Sequence, residues 1–277
     1  MGLCKANRGN LMQHWVLCEL LRRLGQRDFK HLMFICTHSM APWSVPERRD
    51  DEARNRCRQV FHLARRRIGN QRINAYEEAW FALSASDGLP YPSSAMFVKH
   101  LWKEKLSLLL CEAAHDVSDE IDGWLGTPGI KARLEGSRLS RGDWRLAFSD
   151  PFTAGDADVL IIEMDPMRFE HHSPHECSRK DRAVLFPEDL DLTTTALSGL
   201  TIPVLVQISS FSANNGNSHQ IVEQTTTARL RESGFTLLYR AMVGGQMLTL
   251  IYGRHADSLT PSPDFETAFA TWLTDIG

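Results

Sequence analysis

Four side chains able to hold or move a proton stand where apolar runs end in this 277-residue chain: His38 after HLMFICT, Glu112 closing LSLLLCE, Asp150 after WRLAFS, and Asp165 after DVLIIEM. A carboxylate at a strand end can accept both hydroxyls of a ribose diol, which is the chemistry expected of Glu112; the competing reading is a solvated glutamate. Asp150, in SDPF, can accept from an exocyclic amine while Phe152 packs near a base, or it can simply begin an Asp-Pro turn. Asp165 and Pro166 offer a carboxylate beside an exposed carbonyl, with Phe169 three residues on. That set could hold an amine with its nitrogen lone pair aimed at an electrophile, a contribution of positioning more than proton abstraction. The stretch HHSPHEC (171–177) gathers histidines, a glutamate and a cysteine, yet its spacing matches no established zinc pattern and a polar loop explains it as well.

Presenting those side chains together requires a sheet. LMQHWVLCELLRRL after Asn10 has helical periodicity, with Arg22 and Arg23 in its last turn and Gly25 closing it. The runs HLMFICT, LSLLLCE, WRLAFSD, DVLIIEMD and TIPVLVQIS read as buried strands separated by helices or turns. AMFVKHLW, residues 115–125 and GNSHQIVEQTTTARLRESG read as helices, and SPDFETAFATWLTDI as a last one. FTLLYRAMV and QMLTLIYG flank Gly244-Gly245 as a hairpin. Alternating strands and helices predict an α/β fold with a mostly parallel, Rossmann-like sheet, into which the closing hairpin sets one antiparallel strand. Such sheets bind ligands at the carboxyl ends of their strands. Residues 45–90 interrupt the pattern: nine arginines between positions 48 and 72 interleave with apolar residues as an inserted helical subdomain, leaving 1–44 and 91–277 as the α/β domain.

A formal charge of −3 argues against a uniformly basic coat, although a local patch can still bind phosphate. Six scattered cysteines without a CxxC pair fit a reducing compartment, and no run approaches the length of a membrane span. The N-terminus MGLCKANRGN has no apolar signal stretch, so the expected location is the cytoplasm.

The order of these stretches resembles a family. RGN and QH ahead of the first helix, FICTHSMA, the helical insertion, YPSSA, LLLCE, FSDPF, IIEMDPM and the final hairpin follow the sequence of motifs in class I S-adenosylmethionine-dependent methyltransferases, within them the RlmJ-type ribosomal RNA adenine methyltransferases. The resemblance covers most of the chain. It implies a class I methyltransferase sheet, S-adenosylmethionine as cofactor, and His14, His38, Ser94 and Glu112 lining its site, with Asp150 and Phe152 near its adenine. Asp165, Pro166 and Phe169 would then hold the target amine, and RNA, more readily than DNA, would lie along Arg58, Arg65, Arg66 and Arg67. Each has a plainer reading: His14 as a packed histidine, YPSS as a turn, the arginines as a solvated helical face.

The departures from the family pattern are specific. THSMAPW has no glycine where a backbone must approach a cofactor closely, and it carries Pro42 and Trp43. Cys36 replaces an acidic residue, Gln13 a lysine, Met167 a proline and Arg168 the stacking aromatic. Two functions follow as expectations: an S-adenosylmethionine-dependent methyltransferase acting on an exocyclic amine, adenine in RNA or DNA, or a catalytically altered methyltransferase-fold protein serving as a binding or assembly subunit for a protein partner.

Overall fold

The computed structural model describes residues 8–46, 51–68, 74–85, 87–149, 151–165, 168–169, 184–211, 216–243, 247–256, 259 and 265–275. Along the chain these form α1 (Arg8–Leu24), β1 (His31–Cys36), β2 (Trp43–Ser44), α2 (Asp51–Arg67), α3 (Ala75–Leu83), β3 (Tyr91–Pro92), α4 (Ser94–Leu101), β4 (Lys105–Glu112), α5 (His115–Gly126), α6 (Pro128–Arg133), β5 (Arg138–Arg141), a 3-10 helix (Trp144–Phe148), β6 (Val159–Met164), β7 (Arg168–Phe169), β8 (Val184–Leu185), α7 (Pro187–Ala196), β9 (Val204–Phe211), α8 (Gly216–Glu232), β10 (Thr236–Val243), β11 (Met247–Arg254) and α9 (Phe265–Asp275). Two compact units result: Met1–Asp28, Met40–Lys103 and Ser262–Gly277 make one, Phe29–Ser39 and Glu104–Pro261 the other.

The second unit carries a seven-stranded sheet in the order β10-β11-β9-β6-β1-β4-β5. β5, β4, β1, β6 and β9 run parallel, and β11 is antiparallel to both β9 and β10. The expected Rossmann-like α/β class and its closing hairpin are therefore observed. Central strands with no polar alternation must be buried on both faces, and β6 is buried at every position from Val159 to Met164. On one face Ile35, Leu109, Ile162, Val206 and Leu250 pack with Phe148, Leu190 and Leu230 in a single hydrophobic cluster.

One strand assignment is corrected. Within WRLAFSD, Trp144–Phe148 form a 3-10 helix, and the third strand of the parallel set is RLSR, residues 138–141. A strand would send Trp144, Leu146 and Phe148 to one face. Instead Trp144 and Phe148 are buried while Leu146 is 63% exposed, a spacing that suits a helical turn. The Asp143 side chain caps that turn by accepting the Arg145 N–H at 3.1 Å.

The first unit is helical. α1 packs on α3 and α4, and α2 on α3. α2 buries Ala53, Cys57, Val60, Phe61, Leu63 and Ala64 along one stripe, leaving its arginine-bearing face to solvent. α3 begins with a capping box in which the Asn74 side chain accepts the Glu77 N–H at 2.8 Å and Glu77 accepts the Asn74 N–H at 3.2 Å. Fully buried Glu77 also accepts from Arg67 Nη1 at 2.9 Å and from Trp272 Nε1 at 2.8 Å, so one carboxylate ties α2, α3 and α9 together. Among the described residues, no helix is long and apolar enough to cross a membrane.

Candidate functional site

Main-chain hydrogen bonds carry the parallel ladder past the ends of the central strands. Thr37 N donates to Glu163 O at 3.0 Å, Ser39 N to Cys111 O at 2.8 Å, and Gly142 N to Glu112 O at 2.9 Å. The tips of β6, β1, β4 and β5 are thereby fixed in one row at the carboxyl edge, each held by its neighbour. Asp165, His38, Glu112 and Asp143 follow those strands in that spatial order. Of the residues picked out from sequence, His38, Glu112 and Asp165 share this lip; Asp150 and Pro166 lie outside the described residues.

Asp143 was missed. A run with the burial pattern exposed, half-buried, half-buried, exposed gives no apolar signal for β5, so the sequence pattern does not point to the acid that follows it. The available clue was Gly142, a left-handed turn glycine (φ 100°) directly before the acid. Asp143 is well supported: Arg145 Nη1 reaches its Oδ1 at 3.1 Å and its Oδ2 at 3.3 Å, while the same guanidinium grips Asp189 of α7 through Nε (2.5 Å) and Nη2 (2.7 Å). The Arg145 head also sits 5.1 Å from the Trp144 ring centre and 5.6 Å from that of Phe186.

Glu112 is half-buried. Burial pushes its carboxyl pKa up, opposed by the N–H groups of Ala114 and Ala113; the Ala114 N–H sits 2.7 Å from Oε1. His38 is half-buried too, with Nδ1 2.7 Å from Thr37 Oγ1 and its ring 5.9 Å from Trp144. Beneath the lip, Cys36, Glu163 and Gln207 stand side by side in register across β1, β6 and β9, all three buried. The Cys36 thiol donates to Glu163 Oε2 at 3.3 Å; burial first, then the Glu163 charge, pushes its pKa well up, so it remains a thiol.

Phe152 is buried in the hydrophobic cluster 6.3 Å from Phe148, and its N–H donates to Ala196 O at 2.8 Å. Phe169 lies in β7, paired in register with Leu185 of β8, and is partly buried against the same cluster.

In the helical unit, His14 and Ser94 meet: Nε2 lies 2.8 Å from Ser94 Oγ, and Nδ1 lies 2.6 Å from Tyr91 OH. Both ring nitrogens are engaged and burial alone lowers the imidazole pKa to about 3, so this is a neutral histidine. Ser94 opens α4, whose cap residue Ser93 makes no side-chain capping bond. The hydroxyls of Ser93 and Ser44, 3% and 1% exposed, have no partner among the described residues. The Ser93 hydroxyl, an orphaned buried donor at the N-terminus of α4, suits an anionic group. On α2, Arg58, Arg65 and Arg66 are exposed, whereas Arg67 is engaged with Glu77 and Asp275.

No family model matches the chain. No curated protein matches it either. Among solved structures it is similar to protein LPL1258 from Legionella pneumophila, of the family designated DUF519, with a TM-score of 0.61 and 14% identity over 98% of this chain and 92% of that one. It is also matched by the mitomycin 7-O-methyltransferase MmcR (TM-score 0.37, 15% identity, 86% of this chain and 54% of that one). A SAM-dependent methyltransferase from Aquifex aeolicus gives a TM-score of 0.33 and 10% identity over 58% of this chain and 75% of that one. At these identities the likeness is one of fold, and the first of the three carries it.

Proposed function

We propose that the protein is an S-adenosylmethionine-dependent methyltransferase acting on an exocyclic amine of nucleic acid, adenine in RNA foremost. The observation supporting this most is the row of His38, Glu112, Asp143 and Asp165 on adjacent strand tips, tied together by the main-chain bonds that run past β1, β4, β5 and β6. Glu112 is suited to accept hydrogen bonds from the two hydroxyls of a ribose, and Asp143, rather than the expected Asp150, to accept one from the N–H of an adenine amino group. S-adenosylmethionine, when bound, supplies an electrophilic methyl group on a sulfonium. Asp165 accepts one N–H of the target amine, which turns the nitrogen lone pair away from the carboxylate and removes a rotational freedom that the reaction would otherwise have to lose. Arg58, Arg65 and Arg66 are exposed on α2 and suit phosphate, a role Arg67 fills less well while it holds Glu77.

The experiment pairs calorimetry with turnover. S-adenosylmethionine and S-adenosylhomocysteine should bind in the micromolar range, and tritiated methyl groups should pass to an adenine-bearing RNA oligonucleotide. Asp165→Ala should end transfer with cofactor affinity nearly intact; retained turnover refutes its role.

A second reading has its own support. The N–H groups of Thr37, His38 and Ser39, the natural donors of a cofactor turn, are already engaged by Glu163 O, the Cys36 sulfur and Cys111 O. With no glycine from 37 to 43 to open that turn, the fold would serve as a binding or assembly subunit. Absence of any calorimetric heat or thermal shift with either cofactor form selects this reading.

A further inference from the structure

β5 is an edge of the seven-stranded sheet, and beside it lies a recess of about 340 Å³. Its walls include Leu109, Leu139, Ala147 and Phe152, with Leu146 and Arg138 at the margin. Three features set this edge apart. Leu146 is 63% exposed, more than any other large apolar side chain among the described residues. Arg138 is exposed and makes no ion pair or hydrogen bond among the described residues, whereas Arg141 at the other end of the strand holds Asp119 and Asp122 and Arg145 holds Asp189. The strand is bracketed by Gly136 and Gly142, both left-handed (φ 80° and 100°), which end it after four residues. A lone charge beside a hollow lined by both apolar and polar groups, next to an open row of main-chain donors and acceptors, is the arrangement an added strand uses: main chain for affinity, pocket and charge for specificity.

We propose that the outer edge of β5 docks an extended, acidic segment of a partner protein, its main chain running along Arg138–Arg141, one bulky apolar side chain in the recess over Leu146 and one carboxylate on Arg138. Four residues of strand allow only a short ladder, so the contact is a weak and exchangeable one. It stands on residues below the lip, on the far side of Glu112 from His38, and does not depend on methyl transfer.

The test is selection of a random linear dodecapeptide library on phage against the full chain, run in parallel on the double variant Arg138→Glu/Leu146→Asp. Both positions are exposed, and circular dichroism with a melting curve verifies that the variant folds. The expected result is a consensus pairing an acidic with a bulky apolar residue, at least tenfold enriched on the parent over the variant. The synthesised peptide should slow hydrogen exchange at residues 138–147. A charge-reversed peptide, lysine for the acid, should recover binding to Arg138→Glu. Equal enrichment on both proteins, no enrichment, or protection elsewhere overturns the proposal. Sedimentation showing a dimer that the double variant abolishes would give this edge to a second copy of the chain instead, and also overturns it.

Discussion

His14 offers the sharpest test of the packing inside the helical unit. The ordinary histidine pKa of 6.5 falls to about 3 there, because burial removes water from the imidazolium and only Tyr91 and Ser94, both neutral, face its nitrogens. Below pH 6.5 the unfolded chain therefore takes up a proton that the folded chain refuses. The unfolded state binds more protons, and stability falls as pH is lowered through the window from 6.5 towards 3. At about 1.4 kcal/mol per pH unit the deficit reaches roughly 2 kcal/mol at pH 5. Glutamine at this position keeps polar atoms within reach of both neighbours but does not titrate. Urea unfolding of the parent and of His14→Gln at half-unit steps from pH 8 to pH 5 should show the parent losing about 2 kcal/mol more than the variant over that range. Every other titrating group, Glu112 included, cancels in the difference. Parallel pH profiles for the two proteins would refute the reasoning: His14 would then be hydrated, and its pairing with Ser94 would not exist in solution.

Other outcomes follow from the same geometry. Glu77→Ala strips the carboxylate shared by Arg67, Trp272 and the Asn74 N–H; it should cost about 3 kcal/mol in chemical denaturation, since one member of a largely buried pair is left behind. Asp143→Asn should weaken S-adenosylhomocysteine binding about tenfold by calorimetry, about 1.4 kcal/mol, while the melting temperature changes little. Arg65→Glu/Arg66→Glu should weaken RNA binding across sequences and flatten its dependence on log salt by about 1.5, two phosphate contacts fewer. An unchanged salt slope there would mean that α2 does not touch the backbone.

Much of the architecture is legible in the sequence because it depends on local pattern. The apolar runs at β1, β4, β6 and β9 read as buried strands, and the two runs about Gly244-Gly245 as a hairpin; alternation with helices then implies a parallel sheet and a ligand edge at its carboxyl ends. His38, Glu112 and Asp165 could be named because each ends such a run. Patterns fail where the chain has no apolar signal or a misleading one. RLSR forms the edge strand because β4 offers it a hydrogen-bonding partner, not because its side chains ask to be buried, and the aromatic run that looked like a strand is wound into a turn by Asp143 and Arg145. Only the tertiary structure reveals that Ser94 meets His14 across 80 positions, that Trp272 meets Glu77 across 195, and that Glu163, inside an apolar run, is buried against the Cys36 thiol. Periodicity along a chain reports which face of an element is dry. Which polar groups are brought together in that dry space is decided by how distant segments pack.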